Sequence, residues 1–186
     1  ETWQAERNLT GQFEDLSWSS TSSHGSNAYR FDVAHTNTDT LKLIWADSDI
    51  SDREYVLRQL DYADEQWGIS STIGTLSMSR DVGLDVAASS DGVLHLASWS
   101  LDLDYDWNLE VWKYYRRDLM HRTYDGETWS SPEMIDANGG FAQMATGKDN
   151  KVTLIWEREG NQQVVPVWNQ YADGSWNIPR VLKTSF

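Results

Sequence analysis

Cysteine is absent from this 186-residue chain. That excludes disulfides, thiolate metal sites and a cysteine nucleophile, and it leaves either redox compartment open. Bases are scarce: Lys and Arg total 15 against 29 Asp and Glu, for a formal net charge of −14. Such a surface repels phosphate backbones and anionic membranes, so neither nucleic acid nor a membrane is an expected partner. Long apolar runs are also missing; none approaches the roughly 20 residues that span a bilayer as a helix, and the opening residues do not resemble a signal peptide. The four His are scattered and give no support to a zinc site. No Gly-x-Ser-x-Gly elbow and no phosphate-cradling glycine loop occurs, so a hydrolase triad and a nucleotide site have no motif behind them. The compartment is left open, a secreted or cell-surface setting being preferred; Asn8-Leu-Thr10 is an N-glycosylation acceptor that matters only in that setting.

Aromatic residues are abundant, with 11 Trp and 8 Tyr, enough to fill a repetitive core or to offer flat faces to sugars. Their spacing reveals repeats. Tyr62-Ala-Asp64-Glu-Gln-Trp67 is matched by Tyr124-Asp-Gly126-Glu-Thr-Trp129 and by Tyr171-Ala-Asp173-Gly-Ser-Trp176. Asp and Gly between aromatic runs tolerate the positive φ of a tight hairpin, so each element joins two strands. Upstream lie Leu41 to Trp45, Val93 to Trp99 and Val152 to Trp156, and before those Phe31 to Ala34, Leu84 to Ala87 and Phe141 to Ala145. Each repeat of about 50 residues therefore reads as four strands, the pattern of a β-propeller blade. The expectation is an all-β fold of β-propeller type, 1–186 as one unit, with three four-stranded blades over about 30–76, 84–136 and 141–185. Only Asp104 to Arg117 is ambiguous between helix and strand.

Glu1-Thr2-Trp3 repeats Glu127-Thr128-Trp129, so residues 1–10 are expected to supply an extra rim strand of a further blade. Three blades are fewer than the four to eight of closed propellers, and an open arc leaves apolar faces in water. Two completions are open: self-association of two chains into a six-bladed ring, as a homodimer, or a longer propeller of which this chain is a portion.

Asp91-Gly-Val-Leu-His-Leu96, Asp149 to Trp156 and Asp125-Gly-Glu-Thr-Trp129-Ser-Ser-Pro132 resemble the repeats of sialidase-like propellers. Thr123-Tyr-Asp125-Gly126-Glu-Thr128-Trp129 is similar to their Asp-box, one residue short. The resemblance implies a propeller and a fold-stabilising turn rather than an activity. Sialidases also use an Arg-Ile-Pro motif that this chain lacks, so no catalytic residue carries over.

Asp102, Asp104 and Asp106 alternate after Trp99, in what reads as the long connection between second and third strands of the middle blade. Alternating oxygen ligands resemble the start of a calcium loop, although the Gly and flanking helices of an EF-hand are absent; the plain alternative is a solvated acidic loop. Asp47, Asp49 and Asp52 follow Trp45 in the same way. Asp32 and Asp85 hold equivalent places at the start of axial strands, with Ala142 read as the third. They would accept hydroxyls of a glycan, act as a carboxylate pair on a glycosidic bond, or simply bond loop and turn groups. Trp107 and Trp112, in the same long connection, would stack on a pyranose, and Trp18 lies in another loop; the recurring Trp45, Trp99, Trp156, Trp67, Trp129 and Trp176 are expected to be packing residues.

The preferred functional reading is a non-catalytic, lectin-like glycan-binding module using a loop-rich face built from about 100–112, 47–54 and 68–83. A glycoside-cleaving enzyme with a site shared between chains, and a propeller segment that serves only protein contact, are the alternatives.

Overall fold

The computed structural model describes residues 31–36, 40–49, 54–76, 81–106, 110–147, 149–160 and 163–182, with the backbone alone at 48, 49, 54, 81, 101–106 and 111–117. The expected rim strand at 1–10, Asn8, Trp18, Asp52 and Trp107 lie outside the described residues. Among the described residues every regular element is a strand, and this part of the chain is all-β. The first sheet comprises β1 (Phe31–His35), β2 (Leu41–Asp49), β3 (Glu54–Ala63) and an outer strand in two pieces, β4 (Gln66–Trp67) and β5 (Ser71–Leu76). The second comprises β6 (Asp81–Ala88), β7 (Leu94–Asp106), β8 (Val111–Tyr124) and β9 (Glu133–Asp136). The third comprises β10 (Gly139–Thr146), β11 (Val152–Glu159), β12 (Val164–Ala172), β13 (Ser175–Trp176) and β14 (Arg180–Val181). All pairings are antiparallel, and β6 lies between β1 and β10, so the sheets follow one another with their first strands side by side.

The Tyr-to-Trp hairpins close each sheet. Tyr62 is opposite Trp67, Tyr124 opposite Trp129 and Tyr171 opposite Trp176, with ring centres 5.0, 5.2 and 5.3 Å apart. Positive φ falls where the residue types foretold it, at Asp64, Gly126, Asp173 and Gly174, and also at Glu65, whose residue type did not foretell it. In the middle hairpin Asp125 Oδ1 accepts from the N–H groups of Thr128 and Glu127 at 2.8 and 2.9 Å, which holds its carboxyl below the usual range. After each Trp the next N–H returns to the residue before the Tyr: Gly68 to Asp61, Ser130 to Thr123, Asn177 to Gln170. The chain then leaves the ladder briefly and rejoins it, which is why the outer strand comes in two pieces.

Two cores lie between the sheets. Ile44, Ala46, Leu57 and Leu76 of the first sheet pack on Val82, Leu84 and Leu96 of the second. Ala97, Trp99 and Leu119 of the second pack on Ala142, Leu154, Trp156 and Val167 of the third. Alternate residues of a strand point to opposite faces, so β7 serves both cores. Trp99 lies so close to β6 that a Cβ at position 83 would sit 2.2 Å from its ring, and only glycine fits there.

One polar junction is built twice. At the first, Asp32 Oδ2 accepts the Val86 N–H at 2.8 Å, Lys42 Nζ sits 4.3 Å from the Tyr124 ring centre, and Trp129 Nε1–H donates to Gln59 at 2.6 Å. At the second, Asp85 Oδ2 accepts the Met144 N–H at 2.6 Å, His95 lies 5.1 Å from the Tyr171 ring, and Trp176 Nε1–H donates to His121 Nδ1 at 3.2 Å. Because His121 Nδ1 accepts, its Nε2 carries the hydrogen and donates to His95 Nδ1 at 3.0 Å, so both rings are neutral. Burial pushes His95 down to about 4, partly opposed by Asp91, and burial with the neighbouring His95 pushes His121 down to about 3. The unfolded chain takes up these protons near pH 6.5, so their contribution to stability is complete above that pH and is lost as pH falls toward 4. Urea midpoints are expected to be flat above about pH 7 and to decline steadily below about pH 6, and His121→Gln, which copies Gln59 at the first junction, is expected to flatten that decline.

Three expectations are corrected. Residues 100–106 and 111–117 are neither loop nor helix: β7 and β8 continue as a paired ribbon, with Asp102 opposite Tyr115, Asp104 opposite Lys113 and Tyr105 opposite Trp112. In the third sheet a bulge between Gly140 and Gln143 moves the register, so that Gln143, opposite Ile155, matches Asp32 opposite Ile44 and Asp85 opposite Ala97; Ala142 does not. Counted from Tyr124 the ladder runs unbroken to Ser98 opposite Met120, so Ser98, not Trp99, holds the register of Trp45 and Trp156, and a second bulge follows between Ser98 and Ser100.

Candidate functional site

The residues singled out in the sequence fall in two places. Asp32 and Asp85 are on neighbouring first strands, and both are engaged by backbone N–H groups across the junctions; Asp32 Oδ1 also accepts from Val33 at 2.8 Å. Burial pushes the Asp85 carboxyl up, the Met144 amide opposes this, and the nearby Asp32 charge adds to the rise. Their observed bonds are thus the structural ones, tying one sheet to the next. Asp102, Asp104 and Asp106 share one face of the β7–β8 ribbon, while Tyr105 and Trp112 share the other. An extended strand separates alternate residues by roughly 6.7 Å, which is not the wrapped geometry of a calcium loop. Asp47 lies on β2, with Oδ2 3.2 Å from Arg58 Nε.

Sequence reasoning missed a cavity of about 170 Å³ between the first and second sheets, lined by Thr75, Leu76, Ser98, Ser100, Asp118, Met120, Arg122 and Pro132. The second sheet supplies most of it. Ser98 pairs with Met120, and the bulge beside them inserts Asp118 at φ 53, a left-handed conformation that costs an aspartate of order 1 kcal/mol and re-aims the strand. Ser98 is fully buried, and its Oγ has no hydrogen-bond partner among the described residues; the same is true of Nε of the buried Arg122. Arg122 Nη1 donates to the Ser130 carbonyl at 3.2 Å, and burial pushes the guanidinium pKa down. On β5 of the first sheet Gly74 makes room for it: a Cβ there would stand 2.7 Å from Arg122 Nη2.

A signal for this cavity exists in the repeats. Ser98 stands where the other two sheets have Trp45 and Trp156, and Arg122 stands where they have Leu60 and Asn169. Replacing an indole by a hydroxyl opens the space, and replacing Leu by Arg puts a charge beside it. Among the described residues no cluster of His, Asp and Glu has the arrangement of a metal site.

No family model matches the chain, and no curated protein matches its sequence. Among solved structures it is similar to a fucose lectin from Kordia zhangzhouensis in complex with methyl-fucoside, at 11% identity over 83% of this chain and 98% of that one, with a TM-score of 0.49. It is also similar to a protein of unknown function from Dyadobacter fermentans, at 11% identity over 83% of this chain and a TM-score of 0.57. The chain spans about half, 55%, of that second protein.

Proposed function

We propose that the three sheets are blades of a β-propeller and that the chain is a non-catalytic carbohydrate-binding module whose site is the cavity between the first two. The observation that carries this reading is the pair of buried, unpartnered polar atoms, Ser98 Oγ and Arg122 Nε, in residues that line a cavity. Leaving such a group unsatisfied costs of order 1–3 kcal/mol, and a hydroxylated ligand removes that cost. At ~30 Å³ per water the 170 Å³ space holds about six waters, the scale of one small ring rather than of a polymer.

The lining also selects the class of ligand. Arg122 offers donors, Asp118 accepts, Thr75, Ser98 and Ser100 do both, and Leu76, Met120 and Pro132 give apolar surface. Charges of both signs with ambivalent hydroxyls suit a neutral polyol that has C–H faces; an anion would meet Asp118 and a strongly acidic chain. Among the described residues Asp118 is the single carboxylate in the lining, whereas glycoside cleavage ordinarily uses two.

A glycan array tests the reading. The wild-type chain is expected to retain a small set of neutral glycans, and Gly74→Ala, which drives the Arg122 guanidinium out of place, is expected to lose them with a stability change within about 1 kcal/mol. An array on which the wild type is blank, or on which Gly74→Ala is indistinguishable from it, would count against the cavity as a sugar site.

A further inference from the structure

The two internal junctions are a template, and the two ends of the three-sheet array display its two halves. Ile44 and Ala97, at matched registers, are 0% exposed because the next sheet covers them; Ile155, at that register in the third sheet, is 45% exposed. Gln143, Thr153 and Trp168 stand beside it where the first sheet has Asp32, Lys42 and Gln59. At the other end, Leu84 is 8% and Ala142 2% exposed against the preceding sheet, while Phe31 and Val33 of the first sheet are 68% and 47% exposed, with the Tyr62–Trp67 ring pair at the outer end of the same sheet. The third sheet therefore offers the receiving half of a junction and the first sheet offers the inserting half.

We propose that a second copy of this chain covers both ends, its first sheet docking on the third sheet of its partner and the reverse. The three described sheets from each of two copies make six, within the four to eight that close a propeller ring, and the two junctions are identical by symmetry. What points to a second copy is complementarity: each exposed end is half of an interface that the chain already builds twice with itself. The junction between copies differs at one place. Trp168 replaces the acceptors Gln59 and His121, and an indole donates only, so Trp67 of the incoming sheet meets it ring to ring. A cavity of about 360 Å³ lined by Trp168, Asn169, Gln170, Asn177, Ile178 and Arg180 gives that ring its room.

Light scattering on the whole chain is expected to give twice the 21.3 kDa chain mass, and Ile155→Asp or Phe31→Asp alone is expected to give a folded monomer by circular dichroism. The natural chain has no cysteine, so the double variant Val33→Cys/Ile155→Cys is expected to cross-link between copies under oxidation, and neither single variant is. A monomeric wild type, a dimer that both aspartate substitutions leave intact, or cross-linking by either single variant would overturn the proposal.

Discussion

Replacing Arg122 with Leu is expected to weaken glycan binding by roughly 10–150-fold while leaving the fold as stable as before or slightly more so. The binding loss follows from removing a charged donor, worth about 1.5–3 kcal/mol when it meets a ligand hydroxyl in a site closed from water. The stability side follows from the repeats. Leu60 occupies the same register in the first sheet and is buried there, so the backbone accepts an apolar side chain at this place. Arg122 carries a desolvation cost, visible in its lowered pKa, and its Nε has no partner among the described residues. Exchanging such a group for a well-packed hydrophobe is commonly neutral or stabilising. A residue that costs stability and is nevertheless present is the signature of a site rather than of a core. Titration calorimetry with a glycan retained on the array, beside urea unfolding of the same two proteins, reads both effects. Unchanged affinity, or destabilisation of several kcal/mol, would each contradict this account of Arg122.

The largest effect on stability is expected at Trp156. Its side chain is 1% exposed, in the core between the second and third sheets, and its Nε1–H donates to Asp136 Oδ2 at 2.8 Å. Asp136 is itself largely buried and also receives Arg158. Trp156→Ala removes the packing and one of these donors together, an expected loss of about 3–5 kcal/mol. For a chain of this size that lowers Tm by roughly 6–20 °C. Ile69→Ser is the matched control, since that side chain is 95% exposed and its loss is expected to change stability by less than about 0.5 kcal/mol. A small shift for Trp156→Ala in scanning calorimetry would mean that the sheets do not share this core.

Much of the architecture was legible in the sequence because it rests on strong local signals. The Tyr-to-Trp hairpins have turn residues that fix positive φ, and the short apolar strands before them alternate with period two. The observed sheets run over 31–76, 81–136 and 139–181. Departures from periodicity were not legible. A bulge leaves no residue-type mark, and the one in β10 puts Gln143 in the register read as Ala142; in β7 the count from the Tyr124 hairpin puts Ser98 in the register read as Trp99. The ribbon of β7 and β8 reads as a loop in the sequence because its acidic residues outweigh the alternation of Leu101, Leu103 and Tyr105 between them.

The site was legible only by comparing repeats for what breaks the pattern. Asp32 and Asp85 drew notice because they recur, yet recurrence marks the junction they build. Ser98 and Arg122 differ from their counterparts Trp45, Trp156, Leu60 and Asn169, and that difference is where the cavity opens.

The most direct test of the sugar-binding cavity is a nuclear magnetic resonance titration that follows the Arg122 side-chain Nε–H as a retained glycan is added. The account predicts a saturable shift of that resonance together with the backbone amides of Gly74, Ser98 and Ser100. Shifts confined to the ribbon at 101–106 and 111–117, or a glycan that binds while Arg122 Nε–H stays where it was, would contradict it.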